Sequence, residues 1–409
     1  MTGGQTFRLS GVGVPRALCA HQPAGGADLL CGTLRIENGS VAGFSPDDGP
    51  VTRIVLPKLA EVHVHLDKCH SVDRLDHVGG DLAAAIAATR IDKTRWTAED
   101  LAQRARRGLD ELIAAGCGVV RSHVDWATGA DQPEAPLAWE VLGDLTRDAA
   151  ASGVVLQRAA LTGIDEMADP AVAGIVARRI ARDGGVLGSF LLDHSDRRAG
   201  LRTLLGLADR YGLALDFHVD EGLDPTLDGL ERIADAAIAM RFEGPVLCGH
   251  ACSLASQSAS DVSRIADKLA RAGIAVAALP STNLYLQGRR DGTPDRRGIT
   301  QLHALADHGV KTVIGTDNVR DAFCPIGRHD PVYALALGVL AGHLDPPFGH
   351  HLPKITTDAR AALGLPPVYV DTAALDDLIA FPVRDLATLI AAPPPPIPLT
   401  QSEQAPHVP

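Results

Sequence analysis

Four short stretches of the chain put histidine or acidic residues where a metal ion could be held. The first is His63-Val64-His65. Side chains alternate along an extended strand, so two histidines two apart share a face and can reach one ion. Further along stand His218-Val219-Asp220-Glu221, Gly249-His250 and Gly315-Thr316-Asp317-Asn318, each closing a run of β-forming residues. Three neutral imidazoles and a carboxylate suit zinc or ferrous iron and leave one position for water. A divalent ion, Zn2+ or Fe2+, is therefore expected, with His63, His65, His218 and Asp317 as candidate ligands. Such an ion brings the pKa of bound water from about 15.7 toward roughly 7, which makes hydroxide at neutral pH. Expelling an amine also needs a group that shuttles protons. Glu221, three residues past His218, is the candidate. Asp317 is read as a weak ligand that also acts as base toward the water, and His250 as a group that polarises the substrate or orients the hydroxide.

Other residues near these stretches have a simpler reading. Single histidines at strand ends are commonly core residues, and His123, His194 and His303 are assigned that role. His123 and Asp125 remain open as outer partners of the ligands. Lys68, just past the histidine pair, is read either as a solvated lysine or as a side chain that reaches the site. Arg104-Ala105-Arg106-Arg107 is taken as the solvent face of a helix. The seven cysteines are widely spread with no CxxC pair, a pattern of reduced thiols in a cytoplasmic protein. Cys248 and Cys252 flank His250 but are read as small buried residues.

These side chains need a scaffold that brings distant segments to one place. Eight runs read as strands: Glu61–Leu66, Gly118–Val124, Val154–Ala160, Val186–Leu192, Leu213–Val219, Val246–His250, Ile274–Leu279 and Thr312–Thr316. Amphipathic helical patterns lie between them, such as Thr97–Ala115, where Thr97 can cap the start and Leu101, Leu109, Leu112 and Ile113 line one face. Alternating strands and helices predict an α/β fold, a (β/α)8 TIM barrel whose strand C-termini converge on one functional rim. An open doubly wound sheet would compete, but no Gly-rich phosphate turn follows the first strand.

Residues 1–57 carry short strands with Gly and Asp turns, and Ala374–Phe381 reads as another strand. The organisation expected is 1–57 as the first part of a small β-sandwich domain built from both termini, 58–350 as the barrel, 351–392 as the return to the β domain, and 393–409 as a loose Pro-rich tail. The net charge of −12 argues against a nucleic-acid partner. No run of about 18 apolar residues indicates a membrane span, and the start lacks a secretory pattern. A homo-oligomer is left open.

At this point the sequence resembles the amidohydrolase superfamily, in its cytosine deaminase-like branch, over nearly its whole length. Leu56–Asp67 is similar to the family's first barrel strand, and His218-Val219-Asp220-Glu221 to its HxDE motif. Asn283–Arg289 with Arg296–Thr300 resembles the loop after strand seven, and Gly315–Asn318 with Pro325-Ile326-Gly327 the strand-eight aspartate and its loop. The resemblance implies the same metal ligands, Glu221 as proton shuttle and His250 as a hydroxide or substrate contact. It also implies a single ion, since the fourth candidate strand lacks the lysine that bridges two metals in other relatives. The loop Leu161–Asp165 lacks the glutamine with which cytosine deaminases read their substrate. Asn318 replaces an acidic residue, and Phe323 stands in for an aromatic lid. The expected substrate is thus an amino-substituted nitrogen heterocycle of pyrimidine, pterin or triazine type, contacted by Thr162, Lys68, Asn318 and Phe323. Release of an alkylamine from an N-substituted triazine is the alternative, and a metal-free barrel serving as a binding or assembly protein the lesser one.

Overall fold

In the computed structural model, residues 6–21, 26–76, 78–126 and 134–399 are described. Strands β1 (Thr6–Pro15), β2 (Leu29–Glu37), β3 (Ser40–Pro46) and β4 (Arg53–Pro57) begin a peripheral sheet. The barrel follows as β5 (Leu59–Val64), β6 (Cys117–Asp125), β7 (Val155–Gly163), β8 (Val186–Leu191), β9 (Leu215–Val219), β10 (Val246–His250), β11 (Ala275–Ala278) and β12 (Thr312–Ile314). These eight pair in parallel in sequence order. All eight expected barrel strands are present with ends shifted by at most a few residues. Their near-continuous apolar character is what strands buried on both faces require.

Strands β13 (Leu378–Phe381) and β14 (Ile397–Pro398) return to the peripheral sheet, whose order is β14-β13-β4-β1-β2-β3. The small β domain is thus drawn from both ends of the chain. Strand β13 begins four residues later than the expected run, because Leu375–Asp377 forms a short 3-10 turn. Pairing of Ile397 and Pro398 with β13 ties down the start of the Pro-rich segment. Its residues 400–409 lie outside the described residues. Within 351–392, the helix Thr357–Ala362 packs Ala359 and Ala362 against Ala60, Val62, Val119, Leu247 and Val313 and so floors the barrel.

The barrel closes at a thin seam. Between β5 and the end of β12 there is one isolated bridge, Val64 to Asp317, with Asp317 N donating to His63 O at 2.8 Å. The buried Glu61 carboxylate supplies what the ladder lacks, accepting from His63 N at 2.9 Å and from Thr316 N at 3.1 Å. Two strand ends that carry candidate ligands are thereby clamped by one side chain. Lower in the barrel, the buried Asp216 receives Arg121 Nη1 at 2.8 Å and lies 2.9 Å from His123 Nε2. Arg121 also donates to Gln157 Oε1 and to Leu363 O. Breaking a buried pair leaves a charge without compensation. Asp216→Asn is accordingly expected to destabilise the fold by about 3–5 kcal/mol in urea unfolding, and a midpoint unchanged from wild type would refute that role for the pair.

Candidate functional site

Four imidazoles meet at the rim end of the barrel. One ring nitrogen from each of His63, His65, His123 and His218 lies within 4.8 Å of the others, and all four side chains are buried. His63 and His65 come from β5 and its continuation, His123 from β6 and His218 from β9. His65 Nε2 is 3.1 Å from His218 Nε2. Asp317 Oδ1 stands 3.5 Å from His63 Nε2 and 3.4 Å from His65 Nε2. His63, His250 and Asp317 form a second, overlapping group. The structure therefore brings together His63, His65, His218, Asp317 and His250.

His123 was placed in the core by sequence reasoning, with an outer role left open. Its ring centroid lies 4.0 Å from that of His63 and 4.6 Å from that of His218, and Asp216 holds it from below. Its position on the inward face of β6 two residues after Arg121, which reaches the same aspartate, is the signal that could have found it.

Burial pushes the imidazoles of His63, His65 and His218 well below the usual histidine range, and crowding by one another and by the Lys68 ammonium disfavours a charge on any of them. They are neutral, the form that donates a lone pair to a metal. The same surroundings leave many polar atoms without a hydrogen-bond partner: both ring nitrogens of His63, Nδ1 of His65 and of His218, Nε2 of His250, and both carboxylate oxygens of Asp317. Buried polar groups are nearly always satisfied, so such a concentration calls for an ion. The donor set fits a divalent cation.

Backbone turns at the strand ends aim these groups. Asp220, His250, Ala251 and Asp317 all have positive φ, at 50°, 71°, 51° and 61°. Non-glycine residues there carry a cost of order 1–2 kcal/mol each, which the packed surroundings offset. Asp220 is held by Gly229 N and Leu230 N at the start of the helix Gly229–Met240. That anchors the segment bearing Glu221, whose Oε2 lies 3.7 Å from His250 Nε2. His250 Nδ1 is 3.1 Å from Asn283 Oδ1, which leaves Nε2 facing Glu221. Burial pushes the Glu221 carboxyl up to about 8, against the pull of Lys68. Burial likewise raises Asp317 to about 7.

A cavity of about 430 Å3 opens over the cluster. His65, His218, His250 and Glu221 form its floor, Leu161, Phe190, Leu192 and Phe323 give it apolar walls, and Leu82, Ile86, Arg90 and Lys93 of the helix Leu82–Lys93 form its outer side. Asn318 and Phe323 line it as well. The Asn318 amide donates to Asp321 Oδ2 at 2.6 Å, while Asp321 Oδ1 accepts from Phe323 N and Cys324 N. Asp321 thus shapes the loop that carries both.

Lys68 is buried rather than solvated. Its Nζ lies 2.8 Å from Asp125 Oδ1 and 5.1 Å from the Phe323 ring centroid. Despite desolvation, Asp125 and Asp67 hold its pKa up, so it brings a fixed positive charge to the cavity. Thr162 lies apart from the lining. Its hydroxyl donates to Gly188 O at 2.7 Å and its carbonyl accepts from Ser189 Oγ, so its polar atoms serve the β7–β8 contact.

A barrel with buried metal-type ligands at its rim and a carboxylate facing a pocket over them is the arrangement of a hydrolase. Residues 180–368 match the amidohydrolase family. The chain is 35% identical over 343 residues to a pterin deaminase of Rhizobium rhizogenes, covering 83% of this chain and 77% of that protein. It belongs to the amidohydrolase family and is a hydrolase acting on carbon–nitrogen bonds other than peptide bonds. Among solved structures, 5-methylcytosine deaminase from Klebsiella pneumoniae liganded with 5-fluorocytosine superposes with a TM-score of 0.81 at 24% identity over 96% of both chains. N-isopropylammelide isopropylaminohydrolase from Burkholderia multivorans does so with a TM-score of 0.72 at 21% identity, over 95% of this chain and 94% of that one. Both share the fold. Among the described residues no helix is long and apolar enough to cross a membrane.

Proposed function

We propose that the chain is a mononuclear metal-dependent aminohydrolase that removes ammonia from an amino-substituted nitrogen heterocycle, with a pterin as the first substrate to test. The unpartnered buried nitrogens and oxygens of His63, His65, His218, His250 and Asp317, gathered under a cavity, carry this reading. His63, His65, His218 and Asp317 would hold the ion, with His123 filling the space behind His63 under the control of Asp216. A divalent ion held there makes water nucleophilic near neutral pH.

The rest falls to the chain's own groups. Phe323 and Phe190 bound a slot suited to a flat aromatic ring, and Leu161 and Leu192 keep water from its edges. Glu221 would carry two protons in turn, the first from the attacking water to a ring nitrogen and the second from the hydroxyl so added to the amine that departs as ammonia. His250, oriented by Asn283, faces the same point and donates to or accepts from the oxygen that replaces the amine. Lys68 and Asn318 offer polar contacts to ring substituents. The similarity to a protein named as a pterin deaminase supports a bicyclic ring over a single one.

The test is a product screen with metal-loaded protein over aminated pterins, pyrimidines, purines and triazines. Ammonia is expected from a pterin, together with the product in which oxygen has replaced the amine. Alkylamine from an N-substituted triazine with no ammonia from any ring would transfer the assignment to that reaction. Absence of any product from any of the four classes would end the reading of the site as a heterocycle deaminase.

A further inference from the structure

On the outer side of the barrel, away from the cavity, a second set of ligand-type side chains converges. His70 Nε2 lies 3.0 Å and His329 Nδ1 2.8 Å from the same oxygen, Glu111 Oε2. The two imidazoles are almost fully buried, at 4% and 0% side-chain exposure, while the Glu111 carboxylate is 37% exposed. Each residue comes from a different part of the chain. His70 ends the loop that follows His65, Glu111 lies on the helix Ala98–Ala114, and His329 ends the loop that follows Asp317. Beside them is a cavity of about 640 Å3 lined by Glu111, His329 and Pro393 to Pro396.

We infer that His70, Glu111 and His329 form a second divalent-metal site, suited to zinc, that staples the seam where the barrel closes. The geometry favours it on three grounds. The His70 and His329 ring nitrogens lie 3.0 and 2.8 Å from Glu111 Oε2, inside the roughly 4 Å that two bonds of about 2.0–2.2 Å to one ion can span. Two nitrogens and one carboxylate oxygen are a zinc donor set, and the adjoining cavity leaves room for water as a fourth ligand.

The third ground is placement. The seam has a single backbone bridge, and the loops carrying His70 and His329 leave its two sides; His70 N already donates to Val319 O at 3.1 Å. An ion held by both loops and by the intervening helix would fasten strand ends that bear His65 and Asp317.

The nearby charges permit this. Arg107 Nε is bound to the other carboxylate oxygen, Oε1, at 3.1 Å, which orients Oε2 toward the histidines. The Arg328 guanidinium lies over the Tyr333 ring and Arg320 faces Asp73. Burial keeps both imidazoles in the neutral form.

Zinc itself is the probe. Protein stripped with a chelator, resupplied with zinc and desalted is expected to carry two equivalents per chain by elemental analysis, and His329→Gln one. The thermal midpoint of wild type is expected to rise with zinc in two steps, and that of His329→Gln in one. His70→Gln provides a second variant should His329→Gln not fold.

Equal zinc content in wild type and in whichever variant folds would overturn the inference. One equivalent in wild type and none in the variant would leave this site standing and remove the ion assigned to the cavity, so the two readings fail separately.

Discussion

Replacing Glu221 with Gln is expected to lower turnover by about 10²–10⁴-fold, the range for loss of a positioned general acid–base group, while metal content stays at the wild-type level. The amide keeps the size and the exposure of the carboxyl but cannot carry a proton between water and a leaving nitrogen. Glu221 is not among the side chains that gather into either cluster of ligand atoms at the rim. Its Oε2 lies 3.7 Å from His250 Nε2. A steady-state assay beside elemental analysis measures both quantities on one sample. Wild-type turnover in Glu221→Gln would mean that another group moves the protons, with His250 the nearest candidate.

The second large effect is expected from His63→Ala. His63 belongs to both groups of ligand atoms, the one with His65, His123 and His218 and the one with His250 and Asp317. Loss of an outer partner of a metal ligand typically costs 10–100-fold in affinity. Loss of His63 itself is expected to cost at least about 100-fold, with turnover falling in step. Competition against a chromogenic chelator reads the affinity directly. Unchanged affinity would show that the ion is held without His63. The alanine would also free the space now filled by an imidazole that packs 4.0 Å from His123, so a thermal melt should accompany the titration.

The barrel was legible because each of its strands is a short apolar run bounded by turn residues, and because polar residues gather at the ends of those runs on one rim. Val246–His250 shows the pattern in five residues, with four buried positions leading to the histidine. The HxH pair and the HxDE stretch declared themselves through local spacing.

What escaped were contacts between segments far apart in sequence. Lys68 looks like any exposed lysine until Asp125, 57 residues on, is folded against it. Glu61 reads as an outlier in an apolar strand, and only the missing ladder at the seam explains it, through Thr316, 255 residues away. His70 and His329 sit in loops with no periodicity to mark them, and Glu111 is one of several charges on a helix face. Thr162 was chosen because it follows a strand, but its neighbour in the sheet, not the rim, determined where its hydroxyl went.

The outer wall of the cavity is contributed by one excursion of the chain, the helix Leu82–Lys93, whereas the reacting groups ride on strand ends. Part of what the cavity admits is therefore written on a stretch of sequence separate from the reacting groups. Drift in Leu82, Ile86 or Arg90 can retune what is admitted from that side without disturbing the imidazoles beneath.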